Sequence, residues 1–202
     1  LQQIDSRPLT KNQKSLISLA VIGNISEFFD MFIIGFAVSS LLKDPTWHLQ
    51  GFEAGIILAC SGLGTVIGAI MWGRLADKIG RKNSFLWCTV LFTVFTLACV
   101  AVPTDGWILL AALRILVGIG VGGLNITSIP YVQEFVPAKQ RGLLAGLTAV
   151  FIPFGLFLGS MAQIATGTNW RLLIGLGAIP ILLLLWIRLV PESPRFLQSR
   201  GR

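Results

Sequence analysis

Charge is scarce in this chain. Asp, Glu, Lys and Arg make up 12% of its 202 residues, about half the share of a soluble globular protein. There is one histidine, one tyrosine and an odd number of cysteines, three. Cys60, Cys88 and Cys99 all fall within apolar runs. They show neither the even count of a disulfide framework nor a metal-ligand spacing, and nothing else in the sequence points to a cofactor. What fills the chain is apolar. Residues of the set AVILMFWYC form 54% of it, with 22 glycines and 13 phenylalanines, and the mean hydropathy is +0.78. That composition excludes a disordered or acidic tail and most soluble enzymes. It points to a chain that crosses a lipid bilayer several times.

A bilayer core about 30 Å thick takes roughly 20 apolar residues per helix. Six runs meet that length: Leu16–Leu42, Phe52–Trp72, Ser84–Pro103, Trp107–Val132, Leu143–Thr166 and Arg171–Val190. They are continuous and lack the alternation of barrel strands, so the expected fold is an all-α membrane protein with six transmembrane helices. The first run is far longer than a signal-peptide core and has no small-residue cleavage site. The domain reading is a cytoplasmic N-terminus at residues 1–15, a six-helix bundle at 16–190 and the start of a cytoplasmic linker at 191–202.

The few charges are sorted by side. Arg7, Lys11 and Lys14 precede the first run. Arg74, Lys78, Arg81 and Lys82 lie between the second and third, Lys139 and Arg141 between the fourth and fifth, and Arg188, Arg195, Arg200 and Arg202 at the end. Thirteen of the 16 Lys and Arg thus share one side, with Lys43 and Arg171 on the other and Arg114 inside a run. The positive-inside rule puts both ends in the cytoplasm of a multi-pass cell-membrane protein. It also accounts for the net charge of +7 without a nucleic-acid partner.

Spans one and four hold charge at membrane depth, while spans three and six carry none in their middles. Each buried charge costs roughly 2.5–3.5 kcal/mol at the bilayer centre on the insertion scale, so spans one and four are expected to line a wet cavity and three and six to lie at the periphery. Asn24, Glu27 and Asp30 recur at three-residue steps on one side of a helix. At about 1.5 Å per residue, Asp30 lies about 18 Å below the outer end of its span and Arg114 about 10 Å below its own. An arginine side chain spans the difference. A carboxylate in an apolar cavity holds or releases a proton according to whether a guanidinium stands beside it. Asp30, Arg114 and Glu27 are therefore the expected proton-coupling group, against the alternative of a static ion pair joining two helices. Asn24, Asn125 and Gln163 are the polar side chains available to a substrate. Gly64 and Gly68, Gly118 and Gly122, and Gly155 and Gly159 each form a G-x-x-x-G, whose ordinary use is close helix packing. Pro153 and Pro180 mark expected kinks.

Four segments resemble the major facilitator superfamily. Gly73-Arg-Leu-Ala-Asp77-Lys78-Ile-Gly80-Arg81-Lys82 is similar to its loop signature G-x-x-x-D-[RK]-x-G-R-[RK], here a ten-residue loop. Arg114 to Gly122 is similar to the fourth-helix pattern R-x-x-x-G-x-G-x-G, and Glu134, Pro137, Arg141 and Gly142 resemble the E-x-x-P-x-x-x-R-G element after it. Pro191-Glu192-Ser193-Pro194-Arg195 resembles the element that follows helix six in sugar porters. The resemblance implies a 3+3 helix repeat forming the N-terminal half of a twelve-helix transporter. It also implies a cytoplasmic gate of Gly73, Asp77, Gly80, Arg81, Glu134, Arg141, Glu192 and Arg195. The partners implied are a small-molecule substrate, protons, the bilayer and a second six-helix half.

Substrate indications are mixed. Glu27-Phe-Phe-Asp30-Met-Phe-Ile-Ile-Gly35 is similar to the E-W-Y-D-x-F-x-x-G pattern of metabolite:proton symporters that handle carboxylates. Leu156 stands where sugar porters carry a sugar-binding glutamine, and Ser160 replaces the proline of the antiporter signature. The reading is a proton-coupled symporter of a small polar metabolite, an organic acid ahead of a sugar, with an uncoupled facilitator as the alternative. An intramembrane serine protease fails on its chemistry. The single histidine, His48, lies between spans one and two, and there is no G-x-S-x-G.

Overall fold

The computed structural model describes residues 11–133 and 138–179. Those residues form six helices with no strand among them: α1 (Lys11–Lys43), α2 (Gly51–Ile79), α3 (Arg81–Val100), α4 (Trp107–Gln133), α5 (Ala138–Thr166) and α6 (Trp170–Leu176). A backbone in hydrocarbon must satisfy its polar groups internally, which a continuous helix does. Among the described residues α1 to α4 each contain a stretch long and apolar enough to cross a membrane, and α5 contains a shorter apolar one, Ile152–Thr166. The helices are also studded outward with large apolar side chains, such as Leu63, Val66 and Ile70 on α2 and Trp87, Val94 and Leu97 on α3. That is the surface expected to face lipid.

One expectation needs correcting. The segment from Gly73 to Lys82 is a corner rather than a ten-residue loop. α2 runs on to Ile79, α3 starts at Arg81, and Gly80 alone lies between them. Its backbone (φ 92°, ψ 152°) is one that an L side chain adopts only under strain. The chain turns there while the Gly80 N–H still donates to the Ala76 carbonyl at 3.0 Å, and Ser84 N–H and Oγ both donate to the Gly80 carbonyl, at 3.1 and 2.9 Å. Gly80→Ala should therefore destabilise the protein by about 1–3 kcal/mol. Gly73→Ala should be tolerated, because a Cβ there meets only the Ile126 side chain at 3.7 Å. Thermal melts of the two variants check the contrast. In span six, α6 ends at Leu176 and is followed by a turn at Gly177 and Ala178. Two glycines in three residues, Gly175 and Gly177, weaken the helix there. Pro180 lies outside the described residues.

Packing follows the glycines. α2 lies most extensively against α4, and their two G-x-x-x-G pairs face each other. A Cβ on Gly64 or Gly68 would strike the carbonyls of Ile115 or Ile119, and one on Gly118 or Gly122 those of Ser61 or Thr65. α3 seats on the neighbouring face of α4, where Gly120 meets the Phe92 backbone and Gly123 meets Cys88 and Trp72. α5 lies along α1, with Gly155 and Gly159 receiving Phe28, Phe32 and Phe36. The expected use of these glycines as packing devices is what the structure contains.

The connection between α1 and α2 folds back onto the helices. Trp47 is buried edge-on against Trp170, with ring centroids 5.1 Å apart. Arg171 stacks over Trp170 at 4.7 Å and donates to the Val100 carbonyl at 2.8 Å, which ties α6 to the end of α3. In the same connection Asp44 accepts from the Thr46 N–H (2.9 Å) and hydroxyl (2.7 Å). These two bonds hold its carboxyl below the usual carboxylate range. A depressed acid stabilises the fold at neutral pH, and that small contribution is lost only as the pH falls through the lowered value.

Candidate functional site

The buried charges of α1 and α4 meet. Asp30 is 3% exposed and Arg114 1%. The guanidinium grips the carboxylate with both arms: Nη2 donates to Oδ2 at 2.9 Å and Nη1 to Oδ1 at 3.4 Å. Its third donor, Nε, goes to Ser61 Oγ on α2 at 3.1 Å. Asp30 is backed on the far side by the end of α6, where a Cβ on Gly177 would lie 3.3 Å from Asp30 Oδ1 and 3.5 Å from the Thr96 methyl of α3. Fork-to-carboxylate geometry is the strong form of this contact. A pair this deep is nonetheless a poor stabiliser, because desolvating two ions offsets most of their attraction.

The pair forms part of the wall of a cavity of about 500 Å3 between α1, α2 and α4. Glu27, Asp30, Ser61, Thr65, Arg114 and Asn125 supply its polar lining. Phe28, Met31, Ile34, Leu58, Val117 and Val121 supply most of the rest. The expectation that spans one and four border a hollow, with spans three and six behind, matches this lining, which includes no residue of α3 or α6.

Glu27 is 7% exposed and stands one turn before Asp30. Asn125 lines the same cavity, and Glu27 Oε2 is buried without a hydrogen-bond partner among the described residues. Two acids thus line the cavity with one guanidinium, and the guanidinium's hydrogen bonds go to Asp30 and Ser61. Ser61 and Thr65 were not singled out from the sequence. Their signal was two hydroxyls four residues apart in an otherwise apolar run, which places them on one helix face.

Gln163 lies one turn before the C-terminal end of α5, half-buried, and is not among the residues that line this cavity. The side chain of Asn24 lies outside the described residues. Of the gate residues, Gly73, Asp77, Gly80 and Arg81 gather at the corner between α2 and α3, with Asp77 exposed and Arg81 half-buried. Glu134, Glu192 and Arg195 lie outside the described residues, as does the side chain of Arg141, so the network they would form is not described.

The chain as a whole is similar to known proteins. A family model for "Sugar (and other) transporter" matches residues 16–202. The niacin transporter of Acinetobacter baylyi is 31% identical over 205 residues, spanning 100% of this chain and 46% of that protein. An inner membrane metabolite transport protein of Escherichia coli is also 31% identical, over 99% of this chain and 45% of that one. Among solved structures, the major facilitator superfamily proton:xylose symporter XylE, bound to a bromodeoxyglucose, superposes with a TM-score of 0.82 at 27% identity. The match covers 94% of this chain and 47% of XylE. The chain thus spans about half the length of the relatives it matches.

Proposed function

This chain belongs to the sugar (and other) transporter family, and from that premise we propose that it is the N-terminal half of a proton-coupled symporter for a small polar metabolite. On this reading residues 16–190 are the six-helix bundle, and residues 1–15 and 191–202 flank it in the cytoplasm. A second six-helix half closes the other side of the cavity, and the whole works by alternating access.

The observation that carries the reading is the Asp30–Arg114 pair in the cavity wall. Asp30 cannot be protonated while it holds the guanidinium in a two-pronged grip without weakening that grip. Releasing Arg114 inside the membrane leaves a buried cation unpaired, a state worth avoiding by about 3–5 kcal/mol. A proton arriving at Asp30 therefore favours whichever conformation gives Arg114 another partner, and Ser61, Glu27 or a bound substrate are the groups at hand. Proton and substrate are linked through one side chain, and such linkage is reciprocal. The corner at Gly80, with Asp77 and Arg81 beside it, supplies the cytoplasmic gate with Glu134, Arg141, Glu192 and Arg195. Exposed pairs of about 0–1 kcal/mol each suit a contact that must break every cycle.

Relatives of this chain include transporters of niacin and of myo-inositol, so family alone leaves both acids and polyols open. The resemblance of Glu27 to Gly35 to carboxylate symporters, with Leu156 exposed on α5, favours an organic acid over a sugar. The test is uptake of a labelled panel of carboxylates and sugars by the whole protein in vesicles. Accumulation beyond equilibrium only under an inward proton gradient supports symport. Transport that is saturable but indifferent to pH supports an uncoupled facilitator instead.

A further inference from the structure

Arg114 carries one donor that Asp30 does not use. Nη1 and Nη2 go to the carboxylate, and Nε goes to Ser61 Oγ on α2 at 3.1 Å. The main chain places Ser61 for that bond. Its carbonyl accepts from Thr65 Oγ1 at 3.0 Å and abuts Gly118, one turn beyond Arg114 on α4. Three residues on, Gly64 abuts the Ile115 carbonyl. Backbone thus meets backbone on both helices, which fixes the Ser61 hydroxyl relative to the Arg114 stem. α1 has no such seam with α2 or α4. No glycine of α1 meets the backbone of either helix, and its most extensive contact is with α5.

We infer that Ser61 is the positioning residue that keeps Arg114 on α2 and α4 when Asp30 takes up a proton, so that the ion pair opens on the α1 side. The inference rests on the transport reading for its purpose, though not for its geometry. While Asp30 is ionised it neutralises the guanidinium, and the hydroxyl adds little. Once Asp30 is neutral, the same hydroxyl dipole faces an unneutralised cation in a site of low dielectric, where a bond to a charge is strongest. Ser61 therefore stabilises the protonated state of the pair more than the ionised one. Without it that state holds a buried cation short of a partner. The other groups around Asp30 do not duplicate this role. Glu27 stands one turn earlier on α1 and moves with it. α3 brings the Cys99 thiol within electrostatic reach of both members of the pair, but sulfur is a weaker acceptor than a hydroxyl. The end of α6 brings Gly177, and α2 brings no titratable group to the lining.

The experiment is a cycle of four forms of the whole protein in detergent: wild type, Ser61→Ala, Asp30→Asn, which holds the neutral state, and both changes together. The drop in melting temperature on Ser61→Ala should be at least about twice as large in the Asp30→Asn background as in the wild type. A Ser61 that only packs α2 against α4 gives equal drops, and equal or smaller drops in Asp30→Asn overturn the assignment. The second readout is the pH at which uptake into vesicles is half-maximal. Without Ser61 the protonated pair is less stable and a higher proton concentration is needed to reach it. The midpoint should therefore move down, by about one pH unit for a tenfold loss. This readout decides the matter if the double variant does not fold. Ser61→Thr, which keeps the hydroxyl, should restore both. A folded Ser61→Thr that behaves as Ser61→Ala, or a midpoint in Ser61→Ala that stays or moves up, contradicts the proposal. The transport reading fails separately. A protein that shows the cycle in its melts but takes up no labelled solute keeps the anchor and loses the symporter.

Discussion

Replacing Asp30 with Asn should abolish uphill accumulation by the whole protein while leaving exchange of substrate across the membrane intact. Asn has almost the shape of Asp and can still accept one bond from Arg114. It cannot carry a charge or take up a proton in this range, so the two-pronged ion pair is reduced to a single neutral contact. Arg114 is then free to take its alternative partners whatever the pH, and the carrier can reorient with or without a proton. Energy stored in a proton gradient no longer reaches the substrate, and the internal concentration should rise only to its passive value. Counterflow of labelled against unlabelled substrate should persist, since it needs no net proton. Measuring both in the same vesicles separates coupling from folding, because a misfolded variant loses both. A variant that accumulates substrate like the wild type would leave the pair as a structural tie between α1 and α4.

The second large effect is structural, and its sign is the informative part. Gly122→Ala should destabilise the protein by about 1–3 kcal/mol or more. Gly55→Ala on α2 should stabilise it slightly, by up to about 1 kcal/mol. Both changes add the same methyl to a helix. At Gly55 nothing stands within 4 Å, so only the helix propensity changes. At Gly122 the methyl would be driven into the Thr65 carbonyl and the Ala69 amide of the facing helix. Backbone cannot step aside as a side chain does, so α2 and α4 would have to separate. Separation also moves Ser61 away from Arg114 Nε and opens the cavity wall, so transport should fall together with the melting temperature. Comparable melts for the two variants would show that the seam between α2 and α4 is looser than described.

The sequence made the helices and their depths legible because a bilayer imposes one length and one solvent on every span. It placed Asp30 and Arg114 on different helices at depths an arginine can bridge, and the structure puts their charged atoms 2.9 Å apart. The partner of the third guanidinium donor was not legible, since a serine in an apolar run says nothing about which helix will lie opposite. The glycine pairs were visible singly, but that Gly64 and Gly68 face Gly118 and Gly122 is a fact of two helices at once. That Gly155 and Gly159 of α5 would receive Phe28, Phe32 and Phe36 of α1 was likewise a fact of two helices at once. The corner at Gly80 was read as a loop because four bases and an acid suggest solvent. A helix that projects beyond the membrane carries the same charges, and only the backbone of Gly80 tells them apart.

The most direct test of the link between the pair and transport is a proton count. Adding the transported substrate to the whole protein in weakly buffered detergent solution should change the bound protons by about one per molecule, because linkage between proton and substrate runs both ways. The change should vanish in Asp30→Asn. The same proton change in that variant, or none in the wild type with substrate demonstrably bound, would contradict the account.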